Sequence, residues 1–193
     1  REHLAYGWEF PPLKERSDRL EEAAELIRLL FTKAEDEYVS FDGNFYKLDE
    51  APLTPGSTQS PHIPILIGGN GAKRTLRTCA KFGDQFNLDF WHPGGVDVFK
   101  HKSKVVEEHC ESLGRDPSEV KRSVCLPFRL FESENDFREA QGQPWYCWGT
   151  TTMIQDTLGE YIEAGAQEIM LCAIPAKPSA WQRVEEEVLS VFS

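Results

Sequence analysis

The sequence predicts an α/β protein built on a parallel sheet. Two observations carry that expectation. Short apolar runs near residues 64, 86, 124 and 169 read as strands, the first of them Pro64-Ile65-Leu66-Ile67. Segments with apolar residues at helical spacing follow them, so strand and helix alternate through the second two-thirds of the chain.

Taken in order, residues 1–12 are loop-like and end on Phe10-Pro11-Pro12, where prolines suit a helix start. From Leu13 to Phe31, Leu20, Ala23, Ala24, Ile27 and Leu30 give one apolar stripe, an amphipathic helix. Glu21, Glu22 and Glu25 fall on its wet face and read as solvated charges. Tyr38–Phe41 and Asn44–Leu48 flank Asp42-Gly43, the pattern of a hairpin closed by a type I′ turn. Residues 49–64, with four prolines, read as an extended connector. The run Pro64–Ile67 reads as a strand buried on both faces, and a helix follows from about Lys73 to Phe82. Gln85–Leu88 is the second strand, and Val96 to Leu113 a long helix stopped by Gly114. Val120–Phe131 is the third, although Pro127 is awkward in a central strand. Residues 132–148 show no clean period. Thr150 or Thr151 can cap a helix ending at Gly165, Glu168–Cys172 is the fourth strand, and Trp181–Val191 closes the chain as a helix.

Composition narrows the function. The 193 residues suffice for one well-buried domain, and 40% hydrophobic with 27% charged residues is a globular mixture. A net charge of −11 argues against nucleic-acid or anionic-membrane partners, which need clustered cations, but allows one local basic pocket. Five cysteines without a C-x-x-C pair read as reduced core thiols of a cytoplasmic protein, with no metal site expected. No apolar run is long enough for a membrane span, and no signal peptide is recognised. The chain opens on Arg1, not Met, and is expected to be a piece of a longer protein.

The loop after the first strand is the candidate site. Gly68-Gly69-Asn70-Gly71 is followed by Lys73 and Arg74 at a helix start. Glycines let backbone approach an anion closely, the free N–H groups of the first helical turn can bond it, and two cations add charge. The spacing matches neither the dinucleotide fingerprint nor the P-loop. A tight turn with solvated cations is the plain alternative.

The ordered motifs resemble one family. Glu2-His3-x-x-Tyr6-Gly7, Phe41-Asp42-Gly43-x-x-Tyr46, Pro64 to Gly71 with Lys73-Arg74, Gly83-Asp84-x-x-Asn87, Gly114-Arg115-Asp116-Pro117, and Gly149-Thr150 run nearly the whole length. Together they resemble the carboxyl-terminal part of the luciferase-like monooxygenase superfamily, in its deazaflavin (coenzyme F-420)-dependent branch. The resemblance implies a (β/α)8 TIM-barrel type fold, here an incomplete barrel of about the last four βα units with a β-hairpin insertion. It implies an oxidoreductase that passes a hydride between coenzyme F-420 (F420) and a small organic substrate, with FMN as the alternative cofactor of a flavin monooxygenase. Gly68, Gly69, Asn70, Gly71, Lys73, Arg74 and Asn87 would hold the cofactor, and Trp91 and His92 would face substrate. The catalytic residues stay unassigned, since the family's polar groups on its first strands would precede Arg1. A non-catalytic barrel remnant binding a phosphorylated ligand is the other reading, and a homo-oligomer, a dimer, is expected. His3 stands either at the site mouth or in a structural loop; Trp145, Tyr146 and Trp148 read as hydrophobic cover, and Asp84 as a group satisfying backbone at a helix end.

Overall fold

Alternating strands and helices build the molecule around one parallel sheet. The structure is a computed structural model and describes residues 2–34, 36–89, 94–140, 147–173 and 178–192. A short helix α1 (Glu2–Ala5) stands where a loop was expected, and α2 (Leu13–Phe31) has the expected bounds. The hairpin strands are β1 (Tyr38–Asp42) and β2 (Lys47–Pro52). There follow β3 (Leu66–Gly68), α3 (Thr75–Phe82), β4 (Gln85–Leu88), α4 (Gly95–Ser112) and the long β5 (Lys121–Leu130). Next come α5 (Glu134–Glu139), β6 (Cys147–Gly149), α6 (Thr151–Glu163), β7 (Glu168–Ala173) and α7 (Pro178–Arg183), continued by a π turn over Val184–Val188.

The sheet runs β3-β4-β5, with β6 and β7 also pairing β5, all parallel. It is an incomplete barrel. Among the described residues β3 pairs only with β4, and β7 only with β5. Because side chains alternate across a strand, one set (Ile67, Phe86, Leu88, Val124, Leu126, Phe128) faces the helices and is buried. Leu76 and Cys79 of α3, Phe99 and Val106 of α4, and Ile154 and Leu158 of α6 pack on it as a single core. The other set, Asn87, Ser123, Cys125, Met170 and Cys172 among it, forms the opposite, inner face, which among the described residues is not the one the helices pack on.

Several expectations need correction. The strand at 64–67 is not buried on both faces: it sits at the sheet edge, and Leu66, on the inner side, stays 44% exposed. Asp42-Gly43 does not make a two-residue I′ turn. Asp42 pairs with Lys47, the connection spans residues 43–46, and Gly43 lacks the left-handed φ that I′ demands. Glu22 explains the wider loop, for its carboxylate accepts the N–H groups of Asn44 (3.0 Å), Phe45 (2.7 Å) and Tyr46 (2.8 Å). It is therefore no idle solvated charge. Neither is Glu21, which lies 3.7 Å from Arg77 and 3.4 Å from Lys81 of α3. Pro127 is tolerated because β4 lies opposite β5 only as far as Val124, and β6 only from Phe128; residues 125–127 have neither strand on that edge. Segment 132–148 holds α5, capped by Ser133 accepting the Asp136 N–H, and β6. Thr150 takes the N-cap position of α6 without a side-chain cap bond, and the Thr151 hydroxyl instead donates to Glu187 at 2.9 Å.

The end of the unit where β3 and β4 begin and α3 stops is clasped from two sides. Asp84 accepts the Ile65 N–H and the Arg28 guanidinium, each at 2.8 Å, and Arg28 also donates to Phe82 O at 3.1 Å. Arg115 donates to Ala80 O (3.1 Å) and Gly83 O (2.7 Å), the bare carbonyls at the end of α3.

Partial desolvation pushes the Glu22 carboxyl up, but the three backbone donors outweigh it and hold the group below its ordinary value. A lowered carboxyl contributes stability above its unfolded pKa and loses it as pH falls through the folded one. Glu22→Ala is expected to lower the amide-exchange protection of Phe45 and Tyr46 about tenfold. Corrected for intrinsic exchange, that protection should fall with acid in the parent and lose the acid dependence in the variant.

Candidate functional site

The loop joining β3 to α3 lies at the carboxyl end of β3, the end at which barrel sites form. Gly69 has φ +119°, a backbone that L side chains rarely adopt, and its N–H donates to Asn87 O at 3.1 Å. This bond carries the β3–β4 ladder one residue beyond the strand. A side chain at Gly71 would place its Cβ 2.9 Å from Thr75 Oγ1, so the loop closes tightly over the start of α3. A Cβ at Gly68 would meet open space. From below, His109 of α4 donates through Nε2 to Ala72 O at 2.8 Å.

Among the described residues, the N–H groups of Asn70, Gly71, Ala72 and Lys73 have no acceptor. Successive unpaired amides beside a helix start are what an anion needs. The two neighbouring cations differ. Arg74 pairs with Asp18 at 2.5 Å and approaches Glu21 at 3.7 Å, so α2 engages its charge. Lys14 first and Arg74 second hold the Asp18 carboxyl below the usual range. Lys73 is exposed, and among the described residues no carboxylate reaches it. Helix α3 starts at Thr75, not Lys73, which leaves both cations in the turn before it.

Asn87 sits at the register of Gly68 and is 7% exposed. Its amide donates to Ser123 Oγ at 2.9 Å and contacts Met170 Sδ at 3.7 Å, and Ser123 donates to Phe86 O. Asn87 thus belongs to the inner face directly below the glycine loop. At the opposite end of that face Lys121 pairs with Glu168 at 2.6 Å. Of the five cysteines, Cys79, Cys110 and Cys147 lie in the core, and burial first of all pushes Cys79 and Cys147 up to about 12. Cys125 and Cys172 do not fit the expectation of core thiols. Both are half-buried on the inner face. Burial, then Cys172, then Asp89 raise the Cys125 thiol.

Trp91, His92, Trp145 and Tyr146 lie outside the described residues. Trp148 packs at 6.1 Å from Phe131 near the carboxyl end of β5. His3 lies in the exposed opening segment, edge-on to Phe10 at 4.9 Å, and is not brought to the glycine loop by any contact among the described residues. His109 carries no sequence signal for its role. The inward thiols do have one: in Ser123-Val124-Cys125-Leu126, the aliphatic residues take the helix-facing positions and leave cysteine on the other side.

Comparison with known proteins agrees with this layout. A family model described as luciferase-like monooxygenase matches residues 2–189. An F420-dependent glucose-6-phosphate dehydrogenase of Kineococcus radiotolerans is 28% identical over 121 residues, which is 62% of this chain and 34% of that protein. An uncharacterised protein of Mycobacterium bovis is 37% identical over 86 residues, 45% of this chain and 26% of its own length. Among solved structures, an F420-dependent secondary alcohol dehydrogenase superimposes with a TM-score of 0.78 at 17% identity, covering 95% of this chain and 64% of its own. A monooxygenase from Streptomyces bottropensis gives 0.75 at 17% identity, covering 100% and 65%. The chain spans about a third or less of these curated relatives and about two-thirds of these solved neighbours. Among the described residues no helix is long and apolar enough to cross a membrane, and no cluster of three or more His, Cys, Asp or Glu can hold a metal.

The tight closure over Thr75 has a direct test. Gly71→Ala is expected to cost about 1–3 kcal/mol in urea unfolding through overpacking. Adding Thr75→Ala, which removes the offending Oγ1, should restore most of that loss.

Proposed function

The chain belongs to the luciferase-like monooxygenase family, and from that membership we propose that it is the phosphate-gripping part of an oxidoreductase that uses coenzyme F-420. The observation that carries the reading is the run of unpaired amides from Asn70 to Lys73, beside a lysine that no described carboxylate neutralises. Glycine positions fit the group as well: open space lies over Gly68, and the left-handed Gly69 turns the chain there. Residues Gly68 to Lys73 would hold the anionic tail, while Arg74, tied to Asp18 and Glu21, keeps the turn against α2. Asn87 and Ser123 would order the inner face beneath the ring. When bound, the deazaflavin supplies hydride transfer to or from a small organic substrate. The protein's part is to bind the tail, orient the ring over the inner face and limit water there.

FMN is the second reading. It is favoured by monooxygenases and by a riboflavin lyase with modified FMN among the structural neighbours. Both cofactors carry a phosphate on the ribityl chain, so the loop would serve either.

Fluorescence titration with coenzyme F-420 and with FMN decides between them. F-420 is expected to bind, and Lys73→Ala should raise its Kd about tenfold through loss of one charge-assisted contact. Binding of FMN alone moves the protein to the flavin branch. Binding of neither removes the proposal.

A further inference from the structure

We propose that Arg129 anchors the carboxylate of a small organic substrate at the mouth of the inner face. Its place follows from strand parity. Ser123 lies on the inner face through its bond with Asn87, and Arg129 comes six residues later on β5, so the two side chains share that face. Phe128, one step back, is 1% exposed on the core side, and its β6 partner Cys147 is fully buried there. Arg129 itself stands opposite Trp148 and is exposed. It is next to last in β5, at the carboxyl end of the strand, where barrel sites form.

The surroundings of Arg129 suit an anion. Its guanidinium carbon lies 4.7 Å over the Phe131 ring and 5.6 Å over the Trp148 ring, and those rings stand 6.1 Å apart at a tilt of 55°. This aromatic corner holds the planar group and shields part of it from water, which strengthens a charged contact. Among the described residues no carboxylate answers its charge. Glu132, the nearest acid in sequence, is taken by Arg183 at 2.6 Å. The stretches 90–93, 141–146 and 174–177 contain neither Asp nor Glu. A guanidinium presents a fork of N–H donors that the two oxygens of a carboxylate match, and its single charge balances one such group. A phosphate dianion would call for a second cation. At about 3.3 Å per residue, Arg129 lies roughly 20 Å along β5 from the level of Gly68, so a phosphate on the glycine loop is a different group from the one bound here. That the carboxylate belongs to a substrate rests on the oxidoreductase reading above; the site itself does not.

Benzoate and its neutral isostere benzamide test this by NMR on the isotope-labelled whole chain, first without cofactor. Benzoate is expected to shift the Arg129 Nε–H signal to saturation, and benzamide to leave it in place. Arg129→Gln should weaken benzoate at least about tenfold, read at the Trp148 indole signal. Arg129→Lys keeps the charge but loses the fork, and should weaken it less. No benzoate response in the parent, an equal response to benzamide, or undiminished binding by Arg129→Gln overturns the proposal. The two titrations of the parent decide even where a variant fails to fold. Saturating F-420 then separates the sources of the carboxylate. Benzoate that still binds supports a substrate group, whereas benzoate expelled places the coenzyme's own carboxylates at Arg129 and overturns the proposal. If F-420 does not bind at all, the cofactor reading fails alone, and the benzoate result still decides the site.

Discussion

The carboxylate of Asp84 is the constraint on which the site rests. It holds the Ile65 N–H on one oxygen and the Arg28 guanidinium on the other, while its own N–H returns to Ile65 O at 2.8 Å. Arg28 in turn reaches the last carbonyl of α3. One side chain therefore sets where β3 begins, where α3 stops and how α2 lies across them. The glycine loop bridges those same two elements and has little freedom left once they are placed. Arg115 secures the far side of α3 through two more carbonyls, so the turn carrying the unpaired amides is held by groups outside it.

Electrostatics sharpen the same picture. The chain carries a net −11, and α2 spends Asp18 and Glu21 on Arg74, Arg77 and Lys81 of the neighbouring turn and helix. Those pairs are partly exposed and individually weak. Their larger effect is to orient Arg74 towards α2, leaving Lys73 as the cation beside the loop. A net acidic chain with a cation left beside this loop disfavours general polyanions yet can admit a small phosphorylated molecule.

Much of this was legible in the residues. Apolar periodicity located α2, α4 and α6 nearly to their ends, and short apolar runs located β3, β4, β5 and β7, though not the three-residue β6, since burial against helices imposes those patterns. What local pattern could not carry was partnership at long range. Glu22 reads as surface until the hairpin loop arrives 22 residues later, and the wide connection it stabilises displaces the two-residue turn that Asp42-Gly43 suggests. Likewise Leu66 looks central in its run, yet β3 is an edge, and edges are a property of topology. The glycine loop was visible as a motif, but the division of labour between Lys73 and Arg74 depends on Asp18, 56 residues upstream of the arginine. In the stretch after β5, Ser133 and Asp136 were a readable cap for a helix too short to show a period.

The packed core and the inner face occupy opposite sides of the same strands. Leu76, Phe86, Val106, Val124 and Ile154 are fully enclosed between sheet and helices, while residues one step away along each strand face the other way. Odd and even positions consequently answer to different selective demands. Mutation can remodel the lining of the hollow, altering what it recognises, while the layer that keeps the strands in register is left untouched. Such a division makes one scaffold a ready substrate for evolutionary divergence.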